Sequence, residues 1–391
     1  MSPFTTTDSA RCGARTLRAA SPLMATLAGA SVEMGLDTAR TSALATVTRR
    51  SFLLGALSLG ACSRSDDSLL PLRRAVEFLW SNQAENGGFP SHKYGLLRSG
   101  QSLTPFILDA LLEVSETVVP RNVAGIDKAI DFIRQNTNKD GALGLNDSAN
   151  DDYPNYATGL AVKAMVRAQR PGWKEAISPM VQCLRAQQFT EQNGWKPADA
   201  PYGAWGMGGP IHHPPDAGHV EISMTRHVLE GLAAAGVGAT DPAMKSAVVY
   251  LNRCQNSDGG FYFSTVNLET NKAGETNGRP NSYGTTTCDG ILALRAAGVP
   301  ITDDRSRKAM DWVRSHHILD GAPGFDKPPY QGWRLGLRFY YGAAVAEAMP
   351  GLPVLLPPQK QDGSFANSNN QVKEDDPLIA TAFAVRVLCH Q

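Results

Sequence analysis

The stretch Ala75-Val76-Glu77-Phe78-Leu79-Trp80-Ser81-Asn82-Gln83-Ala84-Glu85-Asn86-Gly87-Gly88-Phe89 returns further along the chain without a gap, as Ala247, Tyr250, Leu251, Gln255, Asp258, Gly259, Gly260 and Phe261. A third copy starts at Ala129 with Phe132, Ile133, Asp140, Gly141, Ala142 and Leu143. A fourth starts at Ala309 with Trp312, Val313, His317, Asp320 and Gly321. Weaker copies end in Gln187, Gln188, Gly194, Trp195 and in Gln359, Gln361, Asp362, Gly363, Ser364, Phe365. Repetition of this kind marks a supersecondary unit that buries its apolar face only against its neighbours.

Each copy begins with an amphipathic helix and stops at an Asp/Asn-Gly step, where glycine takes positive φ. A second, Thr-rich helix follows, with starts at Thr104, Thr158, Thr225, Thr286, Tyr341 and Thr381. These second helices are apolar nearly all round and should be buried. Six outer–inner pairs exceed a bundle and predict a closed ring: an all-α (α/α)6 toroid, with six inner helices as a barrel and six outer helices around it. In this reading the Gln amide bonds backbone at a neighbouring helix end, and the aromatic packs on that junction. His316-His317 stands where other repeats carry Gln.

The chain has 391 residues, 42% apolar and 19% charged, which excludes a mostly disordered protein. Lys plus Arg equals Asp plus Glu, so no basic stripe supports nucleic-acid binding. At the N-terminus Arg49-Arg50, the apolar run 51–61 and Cys62 resemble a twin-arginine (Tat) export signal ending in a lipobox. The expected organisation is a removable leader over 1–61, a short tether over 62–70 beginning at a lipidated Cys62, and one toroid domain over 71–391. The localisation expected is exported, periplasmic or cell-surface, with the membrane reached through the lipid anchor alone. Met34 offers an alternative start. Of the remaining cysteines, Cys183 and Cys254 are a pair to test for a disulfide, against a reading as buried thiols.

The Gln–Asp-Gly-Gly-Phe copies resemble the QW repeats of squalene and hopene cyclases and of protein prenyltransferase β subunits. The chain is also similar to exported bacterial proteins described as prenyltransferase/squalene-oxidase repeat proteins, through Asn281-Ser282-Tyr283-Gly284-Thr285-Thr286-Thr287-Cys288-Asp289-Gly290 and Glu374-Asp375-Asp376-Pro377-Leu378-Ile379-Ala380-Thr381-Ala382. The resemblance covers roughly 70–391 and implies an α/α toroid that binds or processes an isoprenoid. Squalene-type cyclases protonate an alkene with an Asp-x-Asp-Asp acid. The pairs Asp66-Asp67, Asp151-Asp152, Asp303-Asp304 and Asp375-Asp376 all lack the Asp two residues earlier. Prenyltransferases hold zinc through Asp-x-Cys and a later His. Here Cys288-Asp289 is adjacent and reversed, so neither a metal nor another cofactor is expected.

Candidate chemistry falls on the inner-helix rims. Asp151 and Asp152 precede the second inner helix, and Asp375 and Asp376 the last, as dipole-favoured caps or as acids. The loop Ile211–Glu221 carries His219 and Glu221 as a candidate general base, and Trp205-Gly206-Met207-Gly208-Gly209 before it lets backbone approach closely. Tyr153, Tyr156, Tyr283, Trp333, Tyr340 and Tyr341 are candidate cavity-lining rings for an apolar isoprenoid or a glycan. Three functions remain open: an isoprenoid-binding or -processing toroid, an envelope polysaccharide lyase or hydrolase on the same scaffold, and a non-catalytic repeat protein. They predict, respectively, an aromatic cavity, an open groove with facing carboxylates, and a barrel filled by side chains.

Overall fold

The computed structural model describes residues 66–147 and 151–391. The leader, with Arg49, Arg50 and Cys62, lies outside the described residues. Twelve α-helices follow in order: α1 Leu70–Ser81, α2 Leu103–Glu113, α3 Val123–Asn136, α4 Pro154–Ala168, α5 Trp173–Ala186, α6 Ile222–Ala234, α7 Pro242–Cys254, α8 Gly284–Ala296, α9 Asp304–His316, the short α10 Gly332–Gly336, α11 Arg338–Ala348 and α12 Pro377–His390. A two-stranded hairpin, Glu275–Thr276 with Arg279–Pro280, is the sheet content of the described residues. No described helix is long and apolar enough to cross a membrane.

The inner helices pack in the cycle α2, α4, α6, α8, α11, α12 and back to α2. Their apolar all-round sequences dictate this: α4, α6 and α8 are buried over almost their whole length. Closest approach falls at glycines. A Cβ on Gly159 would meet the His227 carbonyl at 2.8 Å, and one on Gly231 the Gly159 carbonyl at 2.5 Å. Outside this barrel lie α1, α3, α5, α7 and α9, each burying one stripe. Because every inner helix follows an outer segment that carries the chain back, all six inner helices run in the same direction. Their N-termini form one mouth of the ring.

The sixth outer position departs from expectation. Residues 352–360 run extended there, because Pro353, Pro357 and Pro358 break a helix. The segment is nonetheless held in place. Val354 packs on Gly342 of α11, and Leu355 N–H donates to the Leu319 carbonyl at 2.8 Å.

The repeat signature works as backbone joinery. Gln83 Nε2 donates to the carbonyls of Gly87 (3.0 Å) and of Gly125 in α3 (2.8 Å). Gln188 bonds Gly203 and Ala243 of α7, and Gln255 bonds Gly259 and Arg305 of α9, each at 2.9 Å. Gln359 bonds Gly363 (2.8 Å) and Pro71 of α1 (2.9 Å). His317 plays the same part in the fifth repeat, with Nε2 on the Pro353 carbonyl at 2.8 Å. The turn glycines have φ near +90° and touch the next outer helix: Gly87 meets the Lys128 carbonyl, Gly203 Ser246, Gly259 Lys308 and Gly363 Arg74. The third repeat uses Gly203-Ala204-Trp205 for this turn, not Gly194-Trp195, which belongs to an insertion after Gln188.

The threonines answer from inside. The hydroxyls of Thr104, Thr158, Thr225, Thr287 and Thr381 accept from the N–H of Phe89, Leu143, Trp205, Phe261 and Phe365 at 2.9–3.2 Å. In the fourth repeat Thr287 thus fills the role, while Thr286 donates to the Phe261 carbonyl. Cys183, Cys254, Cys288 and Cys389 form no disulfide among the described residues.

Candidate functional site

The inner helices are apolar except for a few charged positions, and those positions face the lumen. Lys163 of α4 reaches Glu230 of α6 (2.8 Å), Asp109 of α2 (3.5 Å) and Glu347 of α11 (3.9 Å). Arg226 of α6 bonds Glu230 (2.7 Å), Asp289 of α8 (3.0 Å) and Glu347 (2.9 Å). Arg386 of α12 joins Asp109 (2.6 Å) and Glu113 (2.5 Å), and Arg167 joins the same two. Four cations therefore lie among five carboxylates across all six inner helices. Asp109, held among three cations, has its carboxyl lowered to about 2 against the pull of burial. Asp289 is pushed up to about 6, because its burial outweighs Arg226 and the hydrogen bonds from Tyr340. The gap beside Phe106, His227, Tyr340 and Phe383 has room for about one water. Toward the C-terminal ends of the inner helices the barrel is filled by charge.

The N-terminal mouth differs. Glu221 is the N-cap of α6: its Oε1 accepts from Met224 N–H (3.0 Å) and Ser223 Oγ (2.5 Å). Its Oε2 is buried and has no hydrogen-bond partner. Burial raises this carboxyl well above the usual range. Nearby, Asn271 ties down a loop. Its Oδ1 accepts from Phe263 N–H (3.2 Å), and its Nδ2 donates to the Gly274 (2.7 Å) and Asn281 (3.0 Å) carbonyls. The clamp turns Lys272 into the ring, where it is 3% exposed. The Lys272 ammonium sits 3.7 Å from the Phe263 ring centroid and 5.6 Å from that of Trp333. It has no hydrogen bond or ion pair among the described residues, and burial lowers its pKa despite Glu221 and Asp289. The His219 ring lies 5.9 Å from Phe263, with Nε2 buried and unpartnered. Burial and the Lys272 charge hold its pKa down at about 4, so it is neutral at pH 7.

Other sequence candidates take separate places. Asp152 accepts from Ser102 Oγ (2.5 Å), Ser102 N–H (3.1 Å) and Ser99, locking the α2 start to the α4 start. Asp376 caps α12 through Leu378 N–H and accepts from Ser91 Oγ. Asp375 is on the rim with Tyr94 and Lys93, and Asp151 is exposed. Tyr156 stacks edge-on with His227 at 4.6 Å and Tyr340 with Phe383 at 5.4 Å, both toward the lumen. Tyr153 and Tyr283 are buried, and the Glu221 charge acts on both. Tyr341 turns outward, its hydroxyl 2.8 Å from His317 Nδ1. The glycines at 206–209 admit α4 itself: Asn155 N–H donates to the Met207 carbonyl and its Nδ2 to that of Gly206.

Lys272 and the lumen charges escaped the sequence reading. A charged residue on an otherwise apolar inner helix, such as Arg226 or Asp289, was a usable signal. Lys272 had none.

Residues 217–340, which hold Glu221, Lys272, Asp289 and Tyr340, match the family model for the squalene-hopene cyclase C-terminal domain. No curated protein matches the chain. Among solved structures, the apo form of the type II terpene cyclase MstE from Scytonema aligns with TM-score 0.50 and 14% identity, over 83% of this chain and 98% of that one. The unsaturated glucuronyl hydrolase of Bacillus sp. GL1 aligns with TM-score 0.51 and 13% identity, over 83% and 96%. At such identities these likenesses establish the α/α toroid architecture.

Proposed function

For a chain with the α/α toroid fold of the terpenoid cyclase superfamily, we propose that the N-terminal mouth binds a ligand with an isoprenoid body. The carrying observation is Tyr156. It lies deep within the ring, where burial raises its phenol, yet it keeps part of its surface accessible. It stacks edge-on with His227, which lines the small gap in the barrel together with Tyr340. Aromatic faces suit a polyene body, by dispersion and by attraction to any cationic charge developing on it. The charged half of the lumen limits the ligand to the mouth.

Export through the Arg49-Arg50 signal and anchoring at Cys62 belong to the same proposal, since an envelope protein with two or three acyl chains would stay beside lipid-borne isoprenoids.

Native mass spectrometry of the protein after incubation with a membrane lipid extract tests the reading. An isoprenoid retained by the wild type and lost in Tyr156→Ala is expected. A bare protein that turns over an envelope polysaccharide would replace this reading with the glycan-acting one.

A further inference from the structure

Two polar atoms at the mouth are buried without a partner, Glu221 Oε2 and His219 Nε2, and beside them the ammonium of Lys272, a side chain 3% exposed, lies 3.7 Å above the Phe263 ring. Leaving any one of them unsatisfied costs about 1–3 kcal/mol, and more where the group is charged. A folded chain carries such a group where something else completes it.

The cation decides what that is. Every other buried cation of the barrel is matched to carboxylates within hydrogen-bond reach, as Lys163 is to Glu230 and Arg386 to Asp109. Lys272 has only ring faces, and no carboxylate oxygen within the ion-pair distance of 4.0 Å. The Asn271 clamp holds the lysine backbone inward, and the side chain is 3% exposed. We propose that Lys272, Glu221 and His219 form a recognition site for a ligand oxyanion, a carboxylate carried by the ligand held in the mouth. Resting on the proposed isoprenoid reading, this names the ligand class as a prenyl acid.

The three groups suit one oxyanion. Lys272 donates as a cation. His219, neutral at pH 7, has a ring nitrogen that donates in the appropriate tautomer. Glu221 keeps its cap on α6 through Oε1 and is driven by burial toward its acid form, in which Oε2–H donates. The ligand's apolar body then follows Phe263 and Trp333 toward Tyr156.

The test measures binding of farnesoic acid, farnesol and 4-hydroxybenzoate by calorimetry at pH 7, to the wild type, Lys272→Gln and Glu221→Gln. The wild type should bind farnesoic acid more tightly than farnesol. Lys272→Gln should lose about tenfold or more for the acid, 1.4 kcal/mol, and leave farnesol unchanged. That unchanged affinity also reports that the variant is folded. Glu221→Gln keeps an acceptor for the α6 cap and places a permanent donor at Oε2, so acid binding should be retained or strengthened. Equal affinity for acid and alcohol in the wild type and Lys272→Gln would overturn the anion site and leave the isoprenoid reading standing. Lys272-dependent binding of 4-hydroxybenzoate, with neither prenyl compound bound, would uphold the site and overturn the prenyl body. No binding by any of the three would overturn both.

Discussion

Gln359 of the sixth repeat donates its amide to the carbonyl of Pro71 in the first helix, 2.9 Å away and 288 positions earlier in the chain. The same bond joins Gln83, Gln188 and Gln255 to the next outer helix in the ring. At Gln359 it joins the end of the array to its beginning.

Replacing Gln359 by Leu strands the Pro71 and Gly363 carbonyls at a partly buried joint. A loss of about 2 kcal/mol in urea unfolding is expected, with faster amide exchange concentrated in α1. Exchange spread evenly over the ring would contradict a local clasp.

Gly203→Ala tests the turn geometry. Gly203 has φ +89°, and a Cβ there would stand 1.9 Å from the Ser246 carbonyl. Strain and overlap together should cost at least about 2 kcal/mol. Gly236→Ala is the control: its φ is also +89°, but nothing lies within 4 Å of the added carbon. It should cost clearly less.

Arg226→Met leaves Glu230, Asp289 and Glu347 short of a buried counter-charge. A cost of about 3–5 kcal/mol is expected at pH 8. Protonation relieves carboxylates that have lost their cation, so the penalty should shrink at pH 5. A penalty equal at both pH values would mean the arginine acts by packing alone.

Glu374 carries a pH dependence of its own. It caps α11 by accepting from Phe339 and Tyr340 N–H, and burial raises it to about 7. A raised carboxyl contributes stability that is complete below its unfolded value near 4.5 and is lost as pH rises through 7. Its share should fall by about 3 kcal/mol across that interval. Glu374→Gln removes this component, so the difference between wild type and variant should slope by that amount between pH 4.5 and 7.5 in urea titrations.

How far the sequence disclosed these features follows from what each depends on. The Gln, Gly and Thr positions were legible because the joints are local and repeat with the chain. The sixth outer segment was misread as helical, although Pro353, Pro357 and Pro358 argued against it. The lumen network depends on which faces of six parallel helices converge, and no single repeat contains that. Asp109 and Arg386 meet at 2.6 Å from opposite ends of the sequence. Lys272 was hidden for a further reason: its inward course rests on Asn271 bonding to positions on both sides of it. His219 and Glu221 stood out by residue type, and Asp151, Asp152, Asp375 and Asp376 by pairing. The last two pairs sit at helix starts, as the dipole favours.

Open repeat arrays need polar end units to shield their terminal faces, and they can fray from those ends one unit at a time. With Gln359 on Pro71, and Gly363 against Arg74, this ring has no terminal face to shield. It also has no partial length at which every unit is satisfied. Its melting should therefore be a single all-or-none event, and a chain released before its last repeat is made would remain an unfinished arc with α1 uncovered.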